Sequence, residues 1–368
     1  MSIYILGLGA GLLVIQYVLL LFLLKGNWKN HFKNSSQFPM VSVLIAARNE
    51  EKHLPDLLKS LSELDYPIEH LEILIADDQS SDLTPGLISE WAGSNQNRKL
   101  ISIIPDQVGL YQQNGKANAL AILAKEAQGE FLFFTDADCE VPSNWIREGL
   151  GSLREKVGMV IGITQVKATG FFQKMQGIDW WNTLGIVKAV TDLNFPTTGL
   201  GNNMAIRKEA YFKCGGFEGI PHSLTEDLEI SKAIRNSGYR ICHQVSEGIL
   251  VKTKAEKDWK SLLIQRKRWM AGAMTLSFPW KIVLAFQFLF FPLVLAMIYL
   301  DWKLGMGIWT LKVVFQSLFL CAFAKKTGQN IGILELIFFD IYQIQSLSLT
   351  ILYYFWPGKV HWKARNYP

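Results

Sequence analysis

Phe131-Leu132-Phe133-Phe134-Thr135-Asp136-Ala137-Asp138 is an apolar run that stops at two carboxylates around one alanine. The pattern predicts a short buried strand closed by a polar turn. Two stretches upstream repeat it. Residues 41–47 (VSVLIAA) run into Arg48-Asn49-Glu50, and residues 71–76 run into Asp77-Asp78. A third, 100–104, is closed by Pro105. Helical spacing separates them, with Leu54, Leu57, Leu58 and Leu61 on one face of 51–64, and a second helix over 117–127 after Gly115-Lys116. Strands alternating with helices predict an α/β fold with a mostly parallel central sheet and helices on both faces. In such sheets ligands bind outside the carboxyl ends of strands, where three of these polar motifs stand.

Outward from this middle, both ends of the chain are apolar. Residues 3–24, interrupted by Gln16, are long enough at about 1.5 Å per residue to cross a hydrocarbon layer of ~30 Å. No basic leader or small-residue cleavage site accompanies them, so the segment reads as an anchor. Lys25, Lys29 and Lys33 place its far side in the cytoplasm. Gly7, Gly9 and Gly11 follow no strand and are not a nucleotide loop, although Gly7 and Gly11 could let a helix pack closely. Three more apolar stretches, 282–300, 304–324 and 331–356, end the chain; the last two carry Lys312, Glu335 and Asp340. Charges there face protein, a cavity or the interface, and either segment could lie partly at the interface. The division expected is an anchor at 1–25, a catalytic domain at 38–278, a membrane region at 280–356 and a basic tail at 357–368. A full span at 331–356 would carry Lys359, Lys363 and Arg365 outside, against the positive-inside rule. That segment is therefore expected to re-enter, or to pack against 304–324 with Lys312 paired to Asp340 or Glu335.

The 368 residues carry a net charge of +5, spread along the chain, which gives no indication of nucleic-acid binding. Four cysteines have no paired spacing and read as reduced thiols. His70, His222 and His243 lack metal-ligand spacing.

Asp136 and Asp138 suit a hard divalent cation whose shell is completed by phosphate oxygens, though two solvated turn aspartates would look the same. Lys116 opens a helix, where an ammonium and backbone N–H groups can both meet phosphate. Thr225-Glu226-Asp227 begins a helical stretch and resembles a capped N-terminus, with the carboxylates offsetting the helix dipole. Gln265, Arg268 and Trp269 share a helix face by spacing. Lys254, Lys257, Lys260, Arg266 and Lys267 make the same region a candidate for contact with lipid headgroups.

In order, Ala47-Arg48-Asn49-Glu50, Asp77-Asp78, Asp136-Ala137-Asp138, Thr225-Glu226-Asp227 and Gln265-Arg266-Lys267-Arg268-Trp269 resemble the motifs of membrane-bound family-2 glycosyltransferases. These inverting enzymes include cellulose, chitin and hyaluronan synthases and ceramide glucosyltransferase. The resemblance covers roughly residues 38–275 by motif and implies a GT-A-like fold acting on a nucleotide-sugar, with UDP-sugars favoured. It implies Mg²⁺ or Mn²⁺ on Asp136 and Asp138, with Asp136 also on the donor side. It places Arg48, Glu50 and Asp78 around the nucleoside, and Lys116 and Arg268 near phosphate. Asp227 becomes the general base with Glu226 beside it, while Gln265 and Trp269 face the acceptor. A looser match, Thr198–Ala205, adds Gly201 and Asn202 as acceptor-side residues. The expected reaction is inverting transfer to a lipid-linked or glycan acceptor at the membrane. Processive polysaccharide synthesis and an inactive nucleotide-sugar-binding protein are the alternatives.

Overall fold

The computed structural model describes residues 3–195, 198–357, 360–362 and 365–367; Lys359 and Lys363 of the basic tail lie outside them. The elements begin with α1 (Ile3–Gly26), β1 (Val41–Ala47), α2 (Leu54–Ser62), β2 (Leu71–Asp77), α3 (Thr84–Gly93), β3 (Arg98–Ser102), α4 (Gly115–Glu126) and β4 (Phe131–Thr135). There follow β5 (Cys139–Glu140), α5 (Trp145–Ser152), β6 (Val157–Ile161), β7 (Ile163–Lys167), α6 (Phe171–Asp192), β8 (Asn203–Arg207), α7 (Lys208–Lys213) and α8 (Gly216–Gly219). The chain continues through α9 (Glu226–Asn236), β9 (Arg240–His243), β10 (Leu250–Lys254), α10 (Trp259–Ala273), α11 (Phe278–Leu300), α12 (Trp302–Lys325) and α13 (Ile333–Phe355). A hairpin of β11 (Val360–Trp362) and β12 (Arg365–Tyr367) comes last.

Two compact units result, and they cut across the linear division expected from sequence. One comprises Lys29–Lys167 and Val190–Lys254; the other comprises Met1–Trp28, Ala168–Ala189 and Ala255–Pro368. Most of α6 and all of α10 thus group with the apolar helices.

In the first unit a seven-stranded sheet runs β3-β2-β1-β4-β8-β6-β9. β1 is parallel to both β2 and β4, so the strand order reverses between them. A reversal of this kind opens a crevice at the strands' carboxyl ends. β8 is antiparallel to β4 and β6, which leaves the sheet mostly parallel. The sheet buries Leu44, Leu74, Leu132 and Phe134 with α4, whose Ala119, Leu120 and Leu123 pack on the same core. Burial on both faces explains why β4 is an unbroken apolar run and why β1 and β2 are broken only by Ser42 and Glu72, which are buried and bonded to each other. A smaller sheet, β5-β10-β7, lies beside it in the chain's topology. Its antiparallel register pairs Thr253 with Cys139 and so puts Lys254 opposite Asp138.

Among the described residues, the second unit holds four helices long and apolar enough to cross a membrane, α1, α11, α12 and α13. On α1, a Cβ at Gly7 or Gly9 would meet Met297 or Leu293 of α11 at 3.5 and 3.0 Å, whereas Gly11 faces open space. Close approach thus uses Gly9 in place of Gly11. α13 is one continuous helix. It meets α12 through a buried ion pair between Lys312 and Asp340, the second form expected. Glu335 pairs with Lys174 on α6. The buried pair extends into a network. Lys312 donates to Gln343 (2.9 Å), Gln316 donates to Gln343 (3.0 Å) and to Tyr17 (2.9 Å), and Tyr17 donates to Asn182 (3.0 Å). Trp309 donates to Asp340. Each member of this network bonds another, which is how a buried charge is tolerated among apolar helices.

Candidate active site

Lys116 joins two of the sequence motifs. Its ammonium stands 2.5 Å from Asp136 and 3.1 Å from Glu226. Asn114 fixes this geometry from the chain position before α4. Its side-chain oxygen accepts from the Lys116 and Ala117 amides at 3.0 and 3.4 Å, a strong N-cap. Its amide nitrogen donates to the Ser223 carbonyl (2.8 Å) and to Glu226 (3.2 Å). The cap corrects one expectation: these two helix amides serve Asn114 in place of phosphate. Burial would lower the Lys116 pKa, but Asp136 and Glu226 outweigh it and hold the ammonium above its usual range.

Asp227 sits in the first turn of α9. Its Oδ2 accepts from the Gly201 amide (2.9 Å) and its Oδ1 from the Leu228 amide (2.8 Å). Thr225 does not cap this helix with its side chain. Its hydroxyl instead lies 3.1 Å from that of Ser223, so the expected cap is corrected too. A Cβ on Gly199 would collide with the Asp227 carbonyl, and one on Gly201 would lie 3.1 Å from the Lys116 ammonium. The small residues of this loop therefore let backbone close on the carboxylate. Burial, and then the charge of Glu226, push the Asp227 carboxyl up to about 6. A carboxylate so tuned accepts protons near neutral pH.

The loops after β1 and β2 are bonded to one another. Asn49 takes φ 53°, a conformation asparagine tolerates, and its side chain accepts from the Ser81 amide at 2.8 Å. Arg48 donates to the Asp78 carbonyl (2.5 Å) and lies 3.9 Å from its carboxylate. The Glu50 amide donates to Thr84 (2.8 Å), and the Glu50 carboxylate is buried 3.7 Å from Lys254. Lys254 also lies 3.1 Å from Asp138. Asn202 accepts from Thr164 through its side chain (3.1 Å) and from Thr135 through its carbonyl (3.0 Å), tying the Gly201 loop to the end of β4.

Arg48, Glu50, Asp78, Lys116, Asp136, Asp138, Gly201, Asn202, Glu226 and Asp227 thus all belong to the first unit, at the carboxyl edge of its sheet and on α9. Two contributors were not assigned to the site from sequence. Asn114 could have been found as an N-cap before Gly115-Lys116. Lys254 was read within the basic run ahead of α10, and only the β10–β5 register reveals it. Asn203, inside the Thr198–Ala205 match, begins β8. Its side chain accepts from Trp145 (2.9 Å) and donates to the carbonyls of Ile163 (2.7 Å) and Ile249 (2.8 Å).

Gln265, Arg268 and Trp269 lie on α10 in the second unit. Gln265 donates to Glu256 at 3.0 Å. Trp269 meets Trp180 edge-on at 5.4 Å, and the Arg266 guanidinium stands 4.9 Å from its ring centre. Arg266 also pairs with Asp179 on α6.

Among the described residues no three His, Cys, Asp or Glu side chains gather as a cation cage. Asp136 and Asp138 nevertheless fit a magnesium-type ion. Such ions take one or two carboxylates and complete the shell with water and substrate phosphate.

The family model Glycosyl transferase family 21 matches residues 9–368. The chain is 29% identical over 273 residues to probable glycosyltransferase YdaM of Bacillus subtilis, covering 68% of this chain and 62% of that protein. It is 31% identical over 207 residues to a beta-monoglucosyldiacylglycerol synthase of Trichormus variabilis, covering 55% and 42%. Against a poly-beta-1,6-N-acetyl-D-glucosamine synthase of Staphylococcus epidermidis the identity is 27% over 237 residues, covering 63% and 54%. The matched region thus spans between about two fifths and three fifths of these relatives. Among solved structures, the mannosyltransferase PcManGT from Pyrobaculum calidifontis, in complex with GDP-Man and Mn²⁺, aligns with TM-score 0.63 at 18% identity, over 96% of this chain and 99% of that one. This likeness establishes the GT-A-like fold.

Proposed function

Because the chain belongs to glycosyl transferase family 21, we propose that it transfers a sugar from a nucleotide-sugar, a UDP-sugar by preference, to a lipid-linked acceptor at the membrane. The observation that carries this reading is the contact chain Asp136–Lys116–Glu226, with the raised carboxylate of Asp227 beside it. It supplies, in one connected site, a place for a diphosphate and a base for an incoming hydroxyl.

Asp227 takes the proton of the acceptor hydroxyl as its oxygen attacks the anomeric carbon. The bond from that carbon to the diphosphate breaks on the opposite side, so configuration inverts and no covalent enzyme intermediate forms. Mg²⁺ or Mn²⁺ on Asp136 and Asp138 would neutralise the departing diphosphate. Arg48, Glu50 and Asp78 bind the nucleoside end of the donor. Lys116 holds Glu226 and Asp136 in place and lowers the cost of charge on Asp227. Gly201 and Asn202 shape the acceptor side. Arg268 contributes charge for the diphosphate, and Gln265 and Trp269 a surface for the acceptor. Lys25, Lys29 and Lys33 support a cytoplasmic location for this chemistry.

The relatives include both a glycolipid synthase and a polysaccharide synthase. The four candidate spans among the described residues are few to enclose a polymer channel, which favours the lipid acceptor. The test is nucleotide release from membranes given a panel of nucleotide-sugars, with and without added lipid extract and EDTA. One donor should be consumed, with a lipid-soluble product, and Asp138→Asn or EDTA should stop turnover. A long water-soluble polymer would favour the synthase, and full activity in EDTA would remove the metal from the account.

A further inference from the structure

The two aspartates of the Asp136-Ala137-Asp138 turn differ in what holds them. Asp136 is bound by Lys116, which reaches on to Glu226 at the base side of the site. Asp138 is bound by Lys254, which reaches to Glu50 on the nucleoside side. Lys254 is placed by register: it ends β10, directly opposite the residue preceding β5. A lysine needs no specific angle to satisfy a carboxylate, so nothing local demands this pairing. It is also partly exposed, whereas Glu50 is sealed. The ammonium can therefore leave Asp138 while keeping Glu50 in reach.

We propose that Lys254 is a positioning residue that couples metal binding to donor binding. This rests on the metal reading given above. A divalent ion arriving alone at Asp138 must displace an ammonium or bind beside it, and both cost affinity through like-charge repulsion. An ion arriving with a nucleoside diphosphate brings negative charge that takes over the displaced ammonium. Lys254 thereby partly offsets the charge of Asp138 between turnovers and reserves it for the metal–nucleotide complex. Lys116 cannot play the same part alone, since its second carboxylate, Glu226, belongs to the base side.

The experiment is a Mn²⁺ titration of the full-length detergent-solubilised protein, followed by the resonance signal of free Mn²⁺, with and without saturating UDP and, in parallel, GDP. For the native chain, Mn²⁺ alone should bind weakly and nucleotide should tighten it. Lys254→Met should bind Mn²⁺ alone about tenfold more tightly and lose most of the nucleotide effect, a coupling change within the ordinary range. Lys254→Arg keeps the competing charge and should behave as the native chain does, which separates electrostatics from damage to the fold. Unchanged Mn²⁺ affinity in Lys254→Met, or equal gains in both variants, would overturn the proposal. The metal reading fails separately, if native Mn²⁺ affinity is indifferent to Asp138→Asn.

Discussion

Two lysines, Lys116 in the α/β unit and Lys312 among the apolar helices, are each surrounded by side chains that answer their charge, and the difference between the two settings separates a site from a strut. Lys312 is 0% exposed and Asp340 4%. One cation meets one anion there, and amide and hydroxyl groups of Gln343, Gln316, Tyr17 and Asn182 close the remainder. At the sheet edge, Lys116 and Lys254 together serve Asp136, Glu226, Asp138 and Glu50. Carboxylates outnumber cations, and Asp136 is 32% exposed. A balanced, sealed network holds helices together, whereas the open one carries the excess negative charge on which the proposed cation site rests.

The comparison breaks most visibly if the sealed pair is opened. Lys312→Met should cost about 3–5 kcal/mol, because Asp340 is left buried without its counter-charge. Thermal unfolding in detergent measures this, and adding Asp340→Leu should recover most of the loss. A single variant as stable as the native protein would show that the pair does not brace α12 against α13.

At the open site the sharper probe is pH. Asp227, raised to about 6, can serve as the proposed base only when ionised. Transfer should therefore fall as pH drops through that value, by about tenfold per unit below it. Lys116 lowers the Asp227 pKa through its charge. Lys116→Met should accordingly move the acidic limb of the rate profile to higher pH; a limb that stays in place would detach Lys116 from the base.

The smallest effect belongs to the pair on the rim of the helical unit. Lys174 is largely exposed, so Glu335→Gln should change stability by less than about 1 kcal/mol. A larger loss would mean that Glu335 sits in a setting closer to that of Asp340.

How much of this was legible depended on whether a residue's role was local. β1, β2 and β4 are apolar runs buried on both faces, and their polar ends announced the site. β3 was expected at 100–104 but occupies Arg98–Ser102, because pairing with β2 aligns Arg98 with Ile73 while hydropathy follows Leu100 onward. β8 was hidden because it begins with Asn203, whose amide is satisfied by partners from α5 and from the chain around Ile163 and Ile249. Thr225 has the composition of a cap but bonds to Ser223, and Asp227 serves the helix amide. The pairing of Lys312 with Asp340 could be foreseen because charge in an apolar span has few ways to be satisfied. Lys254 could not, since its partner is set by strand register between β10 and β5, far apart in the chain.

The central claim is that Asp227 is the base of a transfer reaction whose donor is held by other residues. Its direct measurement is Asp227→Asn in detergent, assayed for turnover and, by calorimetry, for affinity toward the nucleotide-sugar the native protein consumes. The account predicts a fall in turnover of about 10²–10⁴-fold with donor affinity kept within about threefold, since the base acts in the transition state. A donor affinity that collapses along with turnover, or turnover that survives, would contradict it.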